Sequence, residues 1–327
     1  MKKSSKITIV MYHYIRELKF SRYPKITGLD LSIFIEQIEY LKKHYRIITM
    51  EELIETIDNN SELPPRSVLL TFDDAYIDHY LHVFPILDKN KLQGSFFPPV
   101  KAITEHQVLG VNKIHHILAS VENVQAIIAD IFEQLDTYRN TYNLYENDYY
   151  FQKLAIANRF DNKEVIFIKR LLQVELEEEL RNIITNYLFN KYVSNNEPTF
   201  CRELYMNIEQ IACMRRNGMH IGNHGYGHYW LASLPKEKQE DEIDKSLEFI
   251  REIGGDINSW TMCYPFGNYN DDTISILKRR GCKLGLTSRF DIADIKTDNR
   301  FKLPRLDTND IPKHRNADLN DWYHKAV

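Results

Sequence analysis

Two adjacent carboxylates and a spaced pair of imidazoles are the residues of this chain best suited to chemistry. Asp73 and Asp74 follow the apolar run Val68–Phe72, and His224 and His228 lie four residues apart much later in the chain. One carboxylate and two imidazoles are enough to hold a divalent metal with an open position, and the second carboxylate is then free to act as a base. These four residues predict a metal-assisted hydrolase.

The two carboxylates need a particular backbone to work together. Adjacent side chains of a strand point to opposite faces, so Asp73 and Asp74 can share a site only if the chain turns at Ala75 and Tyr76. Such a turn fits the carboxyl end of a barrel strand, which is where barrel active sites lie. The alternative is that one aspartate only caps a helix starting near Asp78.

The segment from His224 to His228 allows two local structures. On a helix, residues four apart share a face and can bind one ion. Gly225 and Gly227 instead favour a loop that leaves a strand, where the backbone can approach a ligand closely. Beside the two aspartates at a strand end, this pair of imidazoles predicts a metal site.

A third segment, Tyr264-Pro265-Phe266-Gly267, ends the strand-like run Trp260–Tyr264. A Pro-x-Gly turn at a strand end can present backbone N–H groups to the oxyanion of an attacked carbonyl. The alternative is a plain turn with no chemical role.

Composition limits the classes of protein that these motifs can serve. The chain has 327 residues, 43% of them hydrophobic and 27% charged, which is typical of a globular protein. A net charge of −4 argues against nucleic-acid binding. No apolar stretch reaches the about 18 residues of a membrane span, and the run Ile7–Tyr12 is too short for a secretion signal. The four cysteines form no C-x-x-C pair. We therefore expect a cytoplasmic protein.

The elements that position the motifs alternate between strand-like and helical patterns, which predicts an α/β fold with a parallel sheet of about seven or eight strands, a TIM-like barrel. The runs with strand character are Ile7–Tyr12, Tyr45–Thr49, Val68–Phe72, Gly94–Phe97, Met219–Ile221, Trp260–Tyr264, Lys283–Leu286 and Leu303–Leu306. We expect one barrel domain over residues 1–327.

A helical insertion interrupts this series at about 101–196, where two stripes of apolar residues recur with helical spacing. Between them lies a tyrosine-rich segment, 138–150, whose rings could pack a core or stack on a ligand.

The three motifs, in this order, resemble those of the polysaccharide deacetylases of carbohydrate esterase family 4, the NodB-homology domain. Thr71–Asp74 matches the first, Thr-Phe-Asp-Asp-Gly, with Ala75 in place of glycine. His224 and His228 match the second, His-Ser/Thr-x-x-His, with Gly225 in place of the hydroxyl residue. The third, Arg-x-Pro-Tyr, is matched only as Cys-Tyr-Pro-Phe, without its arginine.

That third segment is more similar to the Tyr-Pro-Tyr-Gly version of the poly-N-acetylglucosamine deacetylase branch. In this branch the barrel is circularly permuted, and a histidine after the first strand is the general acid. Met11-Tyr12-His13 fits that position. The resemblance covers about 1–100 and 200–310, and it implies a distorted (β/α)7–8 barrel.

The resemblance also implies a role for each site residue. The implied roles are: base, Asp73; metal ligands, Asp74, His224 and His228; general acid, His13; acetyl pocket and oxyanion site, Tyr264, Pro265 and Phe266. Arg305, at the end of the last strand-like run, either supplies the missing arginine from elsewhere or is a solvated or salt-bridged surface residue.

The implied cofactor is a divalent metal, zinc first, with cobalt, nickel, iron or manganese as alternatives. The implied reaction is removal of an acetyl or formyl group from an N-acylated amino sugar. Without a visible export signal, we expect an intracellular substrate, such as a nucleotide-linked or lipid-linked precursor of a surface polysaccharide, with the insertion at 101–196 as a lid. The alternatives are a hydrolase of a non-sugar amide or imide, and a non-catalytic carbohydrate-binding protein that keeps the fold.

Overall fold

Contacts along the chain divide it into two compact units. The computed structural model describes residues 3–158 and 161–326. One unit comprises residues 1–17, 28–106 and 202–327, and the other comprises 18–27 and 107–201. The first unit contains the sheet and every predicted site residue, whereas the second is built from helices.

Eight of the described strands fall where the apolar runs predict them, with ends that differ by a few residues, whereas the short strands β2, β3 and β10 were not predicted. The strands are β1 (Lys6–Tyr12), β2 (Ile15–Arg16), β3 (Leu29–Asp30), β4 (Arg46–Ile47), β5 (Ser67–Asp73), β6 (Ser95–Phe97), β7 (His220–Ile221), β8 (Thr261–Cys263), β9 (Leu284–Leu286), β10 (Ala293–Asp294) and β11 (Leu306–Asp307). All seven residues of β5 are buried, as a near-continuous apolar run predicts for a parallel strand covered on both faces.

The sheet is mostly parallel. Its order is β10-β1-β5-β6-β7, with β11 paired to β1 and β4 to β5, and only β10 runs antiparallel among these described strands. β8 and β9 form a separate parallel pair. Single parallel bridges, Asn223 with Met262 and Leu286 with Leu303, link β7 to β8 and β9 to the segment before β11. The α/β fold is confirmed, and the closure of these strands into a barrel stays a prediction.

Helices follow most strands of the first unit and make up the second. They are α1 (Leu31–His44), α2 (Met50–Asp58), α3 (Phe84–Lys89), α4 (Val100–Thr104), α5 (Gly110–Ser120), α6 (Val124–Tyr138), α7 (Asn147–Leu154), α8 (Lys163–Arg170), α9 (Glu178–Tyr192), α10 (Glu197–Leu204), α11 (Ile208–Arg216), α12 (Lys236–Glu252), α13 (Asp271–Arg279) and α14 (Asp321–Lys325). A π-helical segment, His79–Val83, leads into α3. Within the described ranges, no helix is both long enough and apolar enough to span a membrane.

The side chains of the central strands alternate between two apolar clusters. On β5, Leu69 belongs to the cluster that also contains Leu284 and Leu286 of β9, whereas Leu70 and Phe72 belong to the cluster that includes α1. Because the side-chain period of a strand is two, Asp73 points to the same side as Leu69. The strand pattern thus directs this carboxylate to the face of β5 that packs against β9.

The helical unit begins and ends later than the predicted insertion, and it includes a segment from the start of the chain. It spans 107–201 instead of 101–196, and residues 18–27 pack with it, since the Tyr23 ring lies 5.0 Å from that of His116 and 5.9 Å from that of Phe200. In the tyrosine-rich segment, Tyr150 is buried whereas Tyr145 and Tyr149 are exposed. The single-domain organisation with a lid stays a prediction.

Candidate active site

The backbone at the end of β5 turns in a way that brings both aspartates to one place. Asp73 is the last residue of the strand, and Asp74 and Ala75 have φ angles of 72° and 54°. This left-handed conformation costs a residue with a side chain about 1–2 kcal/mol, so the surrounding contacts must hold it. Neither aspartate caps the following helical segment, because the residue at its N-cap position is Asp78.

Asp74 lies at the centre of a cluster with the two predicted imidazoles. Its Oδ1 is 3.4 Å from His224 Nε2 and 3.2 Å from His228 Nε2, and its Oδ2 accepts a hydrogen bond of 2.7 Å from the Tyr76 hydroxyl. His224 Nδ1 lies 2.7 Å from the carbonyl oxygen of Cys263. A neutral imidazole that donates from Nδ1 has a lone pair at Nε2, so a neutral His224 would direct that lone pair towards Asp74.

The donor atoms of this cluster fit a metal ion. Asp74 Oδ1 is buried and has no hydrogen-bond partner among the described residues. The three ligand atoms lie within 4.8 Å of one another. Burial lowers the pKa of His228, which favours the neutral ring that a metal requires. An orphaned carboxylate oxygen beside two imidazole nitrogens is the donor set that zinc prefers.

The segment between the two imidazoles is a loop, not a helix. It follows β7, and the φ angles of Gly225 and His228 are 72° and 58°. The loop brings the rings of His224 and His228 to a centroid distance of 4.9 Å, in an edge-on arrangement. Of the two structures that the sequence allows, the structure selects the loop.

Asp73 is held by a buried arginine. Arg305 donates from Nη1 to Asp73 Oδ1 (3.0 Å) and from Nη2 to Oδ2 (2.8 Å), and both side chains are 2% exposed. Burial alone would raise the pKa of Asp73, but the Arg305 guanidinium outweighs it and the pKa falls to about 2. Arg305 also donates to the carbonyl oxygen of Thr287 and to the hydroxyl of Thr71. It is therefore an interior residue paired with Asp73, not a solvated one.

Cys263 takes a place that the sequence reasoning missed. Its Sγ lies 3.4 Å from Asp73 Oδ2, and Asp73, His224 and Cys263 form a second set of atoms within metal-binding distance. This set fits an ion less well, because Arg305 already neutralises Asp73 and burial raises the pKa of the Cys263 thiol. The alternation of side chains along a strand could have predicted this place. Cys263 belongs to the apolar cluster of Leu69, whereas its neighbours Met262 and Tyr264 belong to the cluster of Trp260.

His13 lies beside the two carboxylates. Its Nε2 is 3.9 Å from Asp73 Oδ2, and its side chain is 40% exposed. The backbone oxygen of His13 is 2.8 Å from Nε2 of His79, in the π-helical segment after β5. The imidazole therefore borders the Asp73 carboxylate and solvent at once, which is the placement a proton donor needs.

The third motif divides into residues that approach the cluster and one that does not. The Tyr264 hydroxyl donates to the carbonyl oxygen of Phe301 (2.8 Å), and its ring packs in the apolar cluster of Trp260, so the structure does not bring this side chain to the metal ligands. A Cβ built on Gly225 would lie 3.7 Å from Pro265 Cγ.

Phe266 contributes an aromatic wall beside the imidazoles. With φ at 57°, its ring lies 4.7 Å from that of His228 and stacks on Trp230 at 4.5 Å. Phe266 is a residue that the sequence predicts for the site, whereas Trp230 is not, because its position depends on the loop after His228.

The fold and this cluster define an α/β protein with a candidate metal site at its strand ends, beside a carboxylate paired with arginine. The sequence model of the family described as "Polysaccharide deacetylase" matches residues 152–285, which include both imidazoles and the third motif. Over these residues the chain is similar to the polysaccharide deacetylase family.

Two curated relatives agree with this assignment. Over 192 residues the chain is 24% identical to the poly-beta-1,6-N-acetyl-D-glucosamine N-deacetylase of Staphylococcus epidermidis. This aligned region covers 58% of this chain and 58% of that protein. Over 102 residues the chain is 29% identical to a Bacillus subtilis protein with the provisional name polysaccharide deacetylase YxkH. That aligned region covers 31% of this chain and 34% of that protein. The matched region thus spans little more than half of the longer-matched relative and a third of the other.

Solved structures show the same fold. The Streptococcus pyogenes deacetylase PplD superposes with a TM-score of 0.57 at 18% identity, covering 94% of this chain and 93% of that one. IcaB from Ammonifex degensii gives a TM-score of 0.56 at 18% identity, covering 95% and 96%. At this identity the likeness concerns the fold alone.

Proposed function

We propose that this protein is a metal-dependent hydrolase that removes the N-acetyl group from an amino sugar. The observation that carries the proposal is the orphaned Asp74 Oδ1, which faces the Nε2 atoms of His224 and His228 next to a second, ionised carboxylate, Asp73. The similarity of residues 152–285 to the polysaccharide deacetylase family supports the same reaction.

Asp74, His224 and His228 would hold the metal, which we take to be zinc, with cobalt, nickel, iron or manganese as alternatives. When bound, a divalent ion lowers the pKa of a water towards about 7 and polarises an acyl carbonyl. Asp73, whose pKa of about 2 keeps it ionised near neutral pH, would be the carboxylate available to accept a proton beside that ion.

The residues of the chain then divide the work of amide hydrolysis. Asp73 takes the proton from the attacking water, and Arg305 holds its two oxygens in place. His13 gives a proton to the nitrogen of the leaving amine, which would otherwise have to depart as an anion. The backbone N–H of Phe266 stabilises the oxyanion. The products are a free amino sugar and acetate.

The proposal is tested by metal analysis together with an amine-release assay on N-acetylated sugars. We expect about one divalent ion for each chain, and loss of that ion in His228→Ala. The assay should include a non-sugar amide and a cyclic imide, because the same domain could act on either. Equal metal contents in wild type and variant, or no amine release from any sugar, would contradict the proposal.

The position of Arg305 removes the main argument for the alternative of a non-catalytic binding protein. The missing third-motif arginine favoured a binding protein, but Arg305, directly before β11, places a guanidinium on Asp73. A binding protein has no need of an ionised carboxylate beside a metal site. We therefore favour catalysis.

We further propose an intracellular precursor, nucleotide-linked or lipid-linked, as the substrate and the cytoplasm as the location. Both rest on sequence reasoning alone. The name of the Staphylococcus epidermidis relative instead gives a polymer, poly-β-1,6-N-acetylglucosamine, as that protein's substrate. Turnover of N-acetyl and N-formyl nucleotide sugars, measured beside the polymer, decides between these substrates, and cell fractionation tests the location.

A further inference from the structure

A buried carboxylate on α12 contacts the loop that carries both imidazoles. Glu242 is 6% exposed, and its Oε2 accepts the backbone N–H groups of Tyr226 (3.0 Å) and Gly227 (2.7 Å). Both donors lie between His224 and His228 in the chain. The carboxylate therefore holds the segment that sets how far apart the two imidazoles lie.

The glycines of this loop leave room for that carboxylate. A Cβ built on Gly225 would lie 3.3 Å from Glu242 Oε2, and one built on Gly227 would lie 3.2 Å from Oε1. Gly225 also has a φ of 72°, which residues with side chains rarely adopt. Successive N–H groups wrapped around one oxygen form an anion-binding concavity, here filled by a side chain of the same protein.

The same helix anchors the start of the loop. Asn223 donates from Nδ2 to the carbonyl oxygen of Ile243 (3.2 Å), and its Oδ1 accepts the N–H of Gly225 (2.8 Å). The loop is thus tied to two consecutive residues of α12, once before His224 and once between the imidazoles.

We propose that Glu242 is a positioning residue for the metal site. By holding the N–H groups of Tyr226 and Gly227, it keeps His224 and His228 directed at Asp74 and so sets the affinity for the metal. This inference rests on the proposed function, because it requires that the cluster binds a metal. Groups that orient metal ligands typically change metal affinity by about 10–100-fold when they are removed.

The test measures zinc affinity of the full chain by competition with a chromophoric chelator. Glu242→Ala removes the acceptor, and Glu242→Asp withdraws it by one methylene but keeps its charge. We expect each to weaken zinc binding by about 10–100-fold. Glu242→Gln should stay near wild type, because its amide oxygen can accept the same two N–H groups. Glu248→Ala, an exposed change on the same helix, is the matched control.

The visible spectrum of the cobalt-loaded protein gives a second readout. The spectrum should change in Glu242→Ala and Glu242→Asp, because the geometry of the metal ligands changes. It should stay the same in Glu242→Gln. Where the Ala variant does not fold, the Asp and Gln variants decide, because both keep a polar side chain of similar size. Wild-type affinity in Ala and Asp, or loss in Gln with retention in Asp, would overturn the positioning role alone. Failure of the wild-type chain to bind zinc would overturn the proposed function as well.

Discussion

Two neighbouring aspartates lie in different environments, and the difference predicts different roles. Both oxygens of Asp73 are bound by Arg305, so its charge is balanced within the protein. Asp74 accepts from Tyr76 at Oδ2 and leaves Oδ1 for the two imidazoles. Pairs of carboxylates whose surroundings differ in this way commonly divide into one that reacts and one that holds.

Asparagine variants should separate these roles. Asp73→Asn should keep its zinc and lower turnover by roughly 10²–10⁴, the usual contribution of a general base. Asp74→Asn should lose zinc, because the orphaned oxygen that faces the imidazoles loses its charge. Metal content and kcat, measured on the same preparations, check both results. The opposite pattern would reverse the assignment of base and ligand.

The Asp73–Arg305 pair should also be visible in stability. Asp73→Asn or Arg305→Met alone leaves one buried charge uncompensated, at a cost of about 3–5 kcal/mol in the free energy of unfolding. The double variant removes both charges and should cost clearly less than the sum of the two single changes. A double-mutant cycle by urea unfolding of the metal-free chain measures this coupling. Additive losses would show that the two side chains do not stabilise each other.

His13 should matter most for poor leaving groups. His13→Ala should keep its metal and its substrate affinity, yet lose much of its turnover on amides, because an amine needs a proton to depart. Activated esters leave without that proton, so their hydrolysis should fall far less. A comparison of kcat on an N-acetyl sugar and on an activated acetate ester tests the role. An equal loss on both would remove His13 from the mechanism.

At the scale of elements, the π-helical segment after β5 fixes the segment that follows β1. Asp78 Oδ2 accepts the N–H of Ile15 (3.2 Å) and Nε–H of Arg16 (2.8 Å), while His79 Nε2 meets the backbone oxygen of His13. π-Helical turns often occur at functional sites. Here the turn directs two consecutive polar residues at the chain that carries the proposed general acid.

His79 should make the fold sensitive to acid. Burial lowers the pKa of His79 from 6.5 to about 4, against the opposing effects of its hydrogen bond to His13 and of the charge of Asp78. In the unfolded chain, His79 therefore binds a proton below about pH 6.5, whereas in the folded chain it binds one only below about pH 4. This contribution to stability is complete above pH 6.5 and is lost as the pH falls towards 4, by ~3 kcal/mol in total.

Urea unfolding at several pH values between 7.5 and 4.5 measures that loss. His79→Gln keeps an N–H donor for the His13 carbonyl but does not titrate, so its stability should fall less steeply than that of wild type. His314→Gln is the control, because the His314 side chain is 66% exposed. Identical slopes for wild type and His79→Gln would contradict the prediction.

At the scale of the whole molecule, the helical unit includes two separate stretches of chain. The N–H of Val108 donates to Glu197 Oε1 (2.8 Å), so the two ends of the stretch 107–201 lie close together and a short linker can replace it. Residues 18–27 lose their packing when that stretch is removed, since Tyr23 contacts His116 and Phe200.

Deletion of both 18–27 and 107–201 should therefore leave a folded chain, whereas deletion of 107–201 alone should not. We expect a chain with 18–27 and 107–201 each replaced by a glycine-serine linker to be monodisperse and to bind zinc, because every proposed ligand lies in the other unit. A chain that lacks only 107–201 should aggregate, because the rings of 18–27 become exposed. Size-exclusion chromatography and metal analysis check both. Aggregation of the double deletion would show that the first unit does not fold alone.

Much of this protein follows from local patterns in its sequence. The strand β5 and the helices α6 and α9 of the second unit are readable because an apolar run or a helical stripe needs only neighbours in the chain. The Asp73-Asp74 and His224–His228 motifs are local too, and so are the signs of a turn at each. The α/β fold and the family resemblance could both be predicted from these features.

The tertiary structure alone decided the partners of those residues. Arg305 meets Asp73 across 232 positions of sequence, Tyr264 turns away because β8 alternates, and residues 18–27 pack with helices that follow much later. Glu242 contacts the loop between His224 and His228 from α12. The sequence of this helix contains many acidic residues, and nothing local distinguishes Glu242 from the others. Such contacts depend on how distant segments pack, and the free energy that selects them comes from burial and pairing that no local pattern records.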